Sequence, residues 1–252
     1  MTCYELIFSP TGGTRRAAEL LGHAWPWERR TIDLCDAGLD FSRFSFAPED
    51  LCLVAVPSFG GRVPVTAVER LGRLTGGGAR AVLLCAYGNR AFDDTLLELA
   101  DVLTASGFRC AAAVAAVAEH SIARQFAAGR PDDEDARQLA AFGAQIVDAL
   151  DGGAAGPVQV PGHKPYRIWK GGPAPQANQA CTACGLCAEG CPVRAIDPAQ
   201  PHKTDKTRCI ACMRCVSVCP QHARGLNPVL LFGLEKMLKK ECARRKENEL
   251  FL

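Results

Sequence analysis

Eight of the chain's fourteen cysteines lie in two runs of one spacing, CTACGLCAEGCP from Cys181 to Pro192 and CIACMRCVSVCP from Cys209 to Pro220. Each reads Cys-x-x-Cys-x-x-Cys-x-x-x-Cys-Pro, the spacing of bacterial iron-sulfur proteins. Three thiolates so spaced can wrap one face of an iron-sulfur cubane, while the fourth, on a short helical turn, points to the neighbouring cluster. The expected ligand sets are Cys181, Cys184, Cys187 and Cys219 for one 4Fe-4S cluster, and Cys209, Cys212, Cys215 and Cys191 for the other. Pro192 and Pro220 end each run with a restricted backbone. Zinc also takes four thiolates from Cys-x-x-Cys pairs, but with two pairs per metal it would leave the third thiol and the Cys-Pro of each run over. A segment this small has no sizeable apolar core, so its fold is expected to depend on its metal.

A second candidate centre is SPTGGT, Ser9 to Thr14. Small hydroxyl residues and glycines let backbone N–H groups converge on an anion, and a helix starting at Thr14 adds partial positive charge. A phosphate without a metal suits this loop; so does a tight turn in which Thr11 or Thr14 caps the helix. Lacking a Gly-Lys-Ser/Thr ending, it is not the phosphate loop of a nucleotide hydrolase. Two further loops, VPSFGGRVP (Val56 to Pro64) and AYGNRAFDD (Ala86 to Asp94), carry glycines, aromatic rings and the cations Arg62 and Arg90.

These loops need a frame that brings them together. Apolar strands are expected at Tyr4–Phe8, Arg29–Leu34, Leu51–Val56, Ala81–Ala86 and Phe108–Ala118, and helices at Thr14–Leu21, Val65–Leu74, Phe92–Ser106 and Asp133–Leu150. Continuous apolar strands alternating with helices predict an α/β unit whose parallel sheet is covered on both faces. Five strands in this alternation suggest the doubly wound order 2-1-3-4-5, with ligands beyond the carboxyl ends of the first and third strands. On this reading residues 1–151 form the α/β domain, 152–179 a Gly/Pro-rich linker, 180–226 a small α+β cluster domain, and 227–252 an amphipathic helix and tail. The linker's centre, HKPYRIWK, is apolar and basic enough to dock on one domain. In the last helix Leu230, Leu231, Leu234, Met237 and Leu238 share roughly one side, suited to covering a cluster or the interdomain seam, or to a membrane surface.

Read together, the three loops resemble the flavin loops of the flavodoxin family. The resemblance implies a flavodoxin-like fold and FMN. Ser9, Thr11, Gly12, Gly13 and Thr14 would hold the phosphate; Pro57, Ser58, Phe59, Gly60, Gly61, Tyr87, Gly88 and Asn89 would flank the isoalloxazine ring, with Tyr87 or Phe59 as the aromatic against it. Ala180 to Gly225 resembles the two-cluster bacterial ferredoxin domain. The order of parts, with VPSFGGRVP, YGNRAFDDTLLEL, AEHSI and the tail RKENELFL, resembles the EFR1 family of ferredoxins, which fuses the two. What this implies is electron transfer: a flavin handles electrons singly or in pairs, a cluster passes one, and redox partner proteins supply and take them. An FMN-dependent iron-sulfur oxidoreductase that reduces a small molecule at the flavin uses the same parts, and a redox or iron sensor is a third class. No separate Gly-x-Gly-x-x-Gly unit follows a strand, so a nicotinamide would have to meet the flavin directly.

Composition narrows the field. With a formal charge of +2 spread along 252 residues and no aromatic-basic platform, nothing points to nucleic acid. No apolar run approaches the roughly 18 residues of a membrane span, so no membrane insertion is expected. The start MTCYELIFSP lacks the features of an export signal, and the expected compartment is the cytoplasm, where thiols stay reduced. Cys3, Cys35, Cys52, Cys85 and Cys110 lie on or beside apolar strands and read as small core residues. Arg62 and Arg90 read either as flavin-edge cations or as ion-pair partners, and His120 as a loop cap or a neighbour of the ring. No catalytic residue is assigned.

Overall fold

The computed structural model describes residues 2–153 and 157–252. Strands β1 (Thr2–Ile7), β2 (Glu28–Asp33), β3 (Leu51–Pro57), β4 (Arg80–Tyr87) and β5 (Arg109–Val117) alternate with helices α1 (Gly13–Leu21), α2 (Val65–Leu71), α3 (Thr95–Ala105) and α4 (Asp133–Asp151). Within β3, Val54 and Val56 face one core while Leu53 and Ala55 face the other, the two-residue alternation of an extended chain buried on both sides. Ala67 and Leu71 of α2 and Leu96, Leu99 and Leu103 of α3 close the first core. The second lies under Ala17, Ala18 and Leu21 of α1 and Leu139 and Ile146 of α4.

The five strands are parallel in the order β2-β1-β3-β4-β5, the doubly wound, flavodoxin-like order. The expected five-stranded sheet is, however, six-stranded. The tail returns as β8 (Glu249–Phe251), antiparallel to β5, with Ala113 opposite Phe251 and Ala115 opposite Glu249. Asn248 sets this up: its Oδ1 accepts the Val117 N–H at 2.8 Å and its Nδ2 donates to Asp135 at 2.9 Å. Asp135, fully buried, also pairs with Arg130, whose Nη1 donates to the Lys246 carbonyl at 2.8 Å.

Between α4 and β8 the chain crosses to a small lobe. There β6 (Gln176–Ala177) pairs antiparallel with β7 (Arg224–Gly225), and two single-turn helices, α5 (Leu186–Glu189) and α6 (Arg214–Ser217), carry parts of the cysteine runs. Helix α7 (Pro228–Lys239) then leads back. Of its expected apolar side, Leu234 and Leu238 pack with Cys242 on Ala123 and Phe126, whereas Leu230 and Met237 are exposed, so the inward stripe is narrower than the pattern predicts. Among the described residues no helix is long and apolar enough to cross a membrane.

The linker lies against the α/β unit as its composition predicts. Asp94 accepts the backbone N–H groups of His163 (2.9 Å) and Arg167 (2.6 Å), Asp101 binds Lys164 (2.6 Å) and Tyr166, and Arg62 stacks over the Tyr166 ring. Burial pushes both carboxyls up, but those N–H groups at Asp94 and the Lys164 and Tyr166 donors at Asp101 outweigh it and hold both below the ordinary carboxylate range. A carboxylate with a depressed folded pKa stabilises above its unfolded pKa and loses that contribution as pH falls through the folded one. The linker is therefore expected to stay docked above about pH 4 and to loosen progressively as pH falls from there through the depressed folded values. Hydrogen exchange at the His163 and Arg167 amides, corrected for intrinsic rate, should quicken as pH falls below about 4; protection unchanged to about pH 2 would contradict the account.

Candidate functional site

Beyond the carboxyl ends of β1, β3 and β4 the loops converge on a cavity of about 210 Å³. Thr11, Gly13, Thr14, Pro57, Ser58, Phe59, Gly60, Gly61, Tyr87 and Gly88 line it. Helix α1 begins at Gly12, which holds a left-handed φ of 96° and bears no side chain to cap it. Neither Thr11 nor Thr14 takes the capping role, and the first N–H groups of α1 have no intrahelical partner. Ser9 stands behind the loop and accepts the Arg15 N–H at 3.0 Å, tying it to the helix.

Asn89 is spent elsewhere. Its amide donates to the carbonyls of Cys242 (3.0 Å) and Arg244 (2.8 Å) and accepts the Lys246 N–H at 3.2 Å, so its side chain fastens the segment after α7. Tyr87, buried, meets Phe92 edge-on at 5.3 Å and is the more enclosed of the two candidate aromatics; Phe59 is half-buried in a tight turn with Arg62. Arg62 is paired with Glu98 through two nitrogens (2.6 and 2.8 Å), the ion-pair alternative, while Arg90 pairs with Asp93 and also lines the cavity. His120 fills its expected role as a loop cap. Its Nδ1 accepts the N–H groups of Ile122 (3.2 Å) and Ala123 (3.1 Å), which leaves the proton of the neutral ring on Nε2, and the ring lines the cavity beside Gly88. Burial, then the charge of Arg90, holds its pKa below the ordinary value. A side chain on Gly88 would meet the imidazole at 2.6 Å, so only glycine lets the two loops approach.

The outer wall comes from elsewhere in the chain. Trp169 of the linker lies over Gly60, Ile210, Ala211 and Cys212 come from the second cysteine run, and Leu234, Met237 and Leu238 come from α7. Spacing rules cannot place residues so remote in sequence; the docking character of HKPYRIWK and the apolar side of the last helix were the available signs. Arg70 helps hold the lobe here, donating to the carbonyls of Leu34 and, at 2.5 Å, Pro192.

In the lobe the eight cysteines surround two hollows. Cys181, Cys184, Cys187 and Cys219 line one, and Cys209, Cys212, Cys215 and Cys191 the other, so each run lends its last thiol to its neighbour. Three sulfurs accept backbone N–H groups, Cys191 from Ala195 (3.2 Å), Cys209 from Ala211 (3.4 Å) and Cys219 from Ala223 (3.3 Å). Such donors suit thiolate ligands and tune a bound cluster. Without metal, burial pushes the Cys212 thiol up to about 12 and Cys215 up to about 11, so metal must displace their protons. The only buried side-chain nitrogens lacking a partner among the described residues are Nε of Arg214 and Nε of Arg224, one beside each hollow. Unmet cations around two rings of thiols fit anionic clusters. Cys3, Cys52, Cys85 and Cys110 in the strands and Cys35 just after β2 are all buried, and burial raises their thiols.

Residues 170–224 match the family model of a 4Fe-4S dicluster domain. The methylamine utilization ferredoxin-type protein MauM of Methylophilus methylotrophus is 33% identical over 101 residues, covering 35% of this chain and 40% of that protein. The chain thus spans less than half of that curated relative. Among solved structures, the flavodoxin of Streptococcus pneumonia TIGR4 matches at 18% identity over 59% of this chain and 99% of its own, with a TM-score of 0.42. A flavodoxin from the domain Archaea matches at 15% identity over 60% and 99%, with a TM-score of 0.39. The strand order itself gives the fold, and the dicluster match with its eight thiols gives the cofactors of the lobe: the chain joins a flavodoxin-like α/β unit to a domain for two 4Fe-4S clusters, and its chemistry is redox.

Proposed function

We propose that this chain is an electron carrier that binds FMN in its α/β unit and exchanges electrons with partner proteins through the cluster lobe, as in the EFR1-type fusions it resembles. The observation that carries the reading is that Cys212 belongs to both centres: it lines the cavity beyond the sheet and the hollow shared by Cys209, Cys215 and Cys191. A flavin supplies exchange of electrons singly or in pairs, and a cluster exchange of one. The chain's own residues do the rest. The Thr11–Thr14 loop and the α1 amino terminus receive a phosphate, with Ser9 and Gly12 shaping the loop. Pro57 to Gly61, Tyr87 and Gly88 hold a planar ring, the Asn89 backbone continues that loop, and His120 offers an Nε2–H donor at its edge. The cluster domain is taken as 180–226.

The same wall argues against a small-molecule reductase. Trp169, Ile210, Leu234 and Leu238 line the same cavity with apolar surface, which disfavours a polar substrate or a nicotinamide beside a bound ring. The test is anaerobic. Purified protein supplied with FMN, iron and sulfide should hold about one FMN and about eight irons per chain, and NADH or NADPH should leave the flavin oxidised. Full iron with no retained FMN defeats the flavin half; rapid bleaching by either nicotinamide defeats the carrier in favour of the reductase.

A further inference from the structure

Arg224 opens β7 with only 4% of its surface exposed. One terminal nitrogen donates to Thr204 Oγ1 at 2.9 Å and the other to the Pro201 carbonyl, both neutral acceptors, and the buried Nε has no partner among the described residues. The other buried arginine among the described residues, Arg130, is matched by the buried carboxylate of Asp135. Arg224 has no such match. A buried cation is costly unless an opposite charge meets it.

The missing charge is implied by its surroundings. Arg224 lines the hollow of Cys181, Cys184, Cys187 and Cys219. Four thiolates around a core of about 2+ leave about −2 on each loaded cluster. We infer that Arg224 is the counter-cation of the cluster held in this hollow, a positioning residue whose charge favours its loaded and reduced states. Reduction brings one electron to a cluster and makes it one unit more negative, so a fixed cation nearby stabilises the reduced form and raises the potential. The inference rests on that hollow holding a cluster. It predicts the larger effect at the cluster whose hollow Arg224 lines.

The test uses the full chain loaded anaerobically, with Arg224→Gln, Arg224→Met and Arg224→Lys beside the unaltered protein. Iron and sulfide are counted, and each sample is titrated with a chemical reductant under EPR. The neutral variants should load and show lower potentials, most at the Cys181 cluster, while Arg224→Lys stays near the unaltered protein. Loading lost in both neutral variants but kept with lysine supports the same role, since charge alone separates them. Potentials unchanged in the neutral variants overturn it. So does a lysine variant that shifts or fails as the neutral ones do, because the hydrogen-bond fork to Thr204 and Pro201 is then what matters. An unaltered protein that binds no iron fails the cluster reading itself and removes the ground for Arg224; iron at full count with unmoved potentials fails Arg224 alone.

Discussion

A chain carrying both Cys191→Ser and Cys209→Ser is expected to retain about four irons, as many as either single variant, whereas Cys191→Ser with Cys181→Ser retains almost none. The reason is the exchange of last thiols between the runs. Cys191 shares its hollow with Cys209, Cys212 and Cys215, so a second loss there removes nothing further. Cys181 shares its hollow with Cys219, and losing it after Cys191 empties both sites. If each run instead held its own cluster, the two double variants would trade places. Iron and sulfide counts on purified protein decide between them. Because a lobe with so little apolar core relies on its metal, the Cys191/Cys181 variant should also lose the β6–β7 pairing, visible as protease cutting between about residues 176 and 225.

Asp135→Ala is expected to cost about 3–5 kcal/mol, a large part of a domain's whole stability. The substitution leaves the buried Arg130 guanidinium facing no carboxylate. It also removes one of the two acceptors of Asn248 Nδ2, leaving Gln138 Oε1, and loosens the hold of Arg130 on the Lys246 carbonyl. Both losses fall on the anchor of β8, so the sixth strand should detach along with the drop in stability. Asn248→Ala, which keeps the ion pair, should cost less, about 1–3 kcal/mol, and release the same strand. Denaturant midpoints give the first quantity and exchange at the Val117 amide the second. Asp135→Ala with an unchanged midpoint would mean that the pair contributes nothing.

Long apolar segments made most of the α/β unit legible in the sequence. The expected strand Leu51–Val56 is observed as Leu51–Pro57 and the expected helix Asp133–Leu150 as Asp133–Asp151, because burial on two faces and the acidic cap at Asp132 leave few alternatives. The cysteine spacing was equally readable, since cluster geometry is local. What escaped was set by tertiary contact. Glu249–Phe251 is too short to carry a period and becomes a strand only because the edge of β5 accepts it. Asn89 sits in a flavin-like loop, yet its amide meets carbonyls more than 150 residues away. Trp169 and Cys212 reach the cavity through the docking of linker and lobe; HKPYRIWK hints at the first, and no window of sequence contains the second.

The late return of β8 has a consequence for synthesis. The ribosome completes β5 at Val117 and must then add the linker, both cysteine runs and α7 before the strand that covers its edge exists. Through that interval the nascent sheet presents an open row of N–H and C=O groups on an alanine-rich strand, a template for unwanted pairing. The wait coincides with the emergence of the ligand thiols. A cell short of iron or sulfide would then hold chains whose lobe is unformed and whose returning strand is badly delivered, so scarcity of cofactor should surface as aggregation of the α/β unit as well as loss of electron transfer.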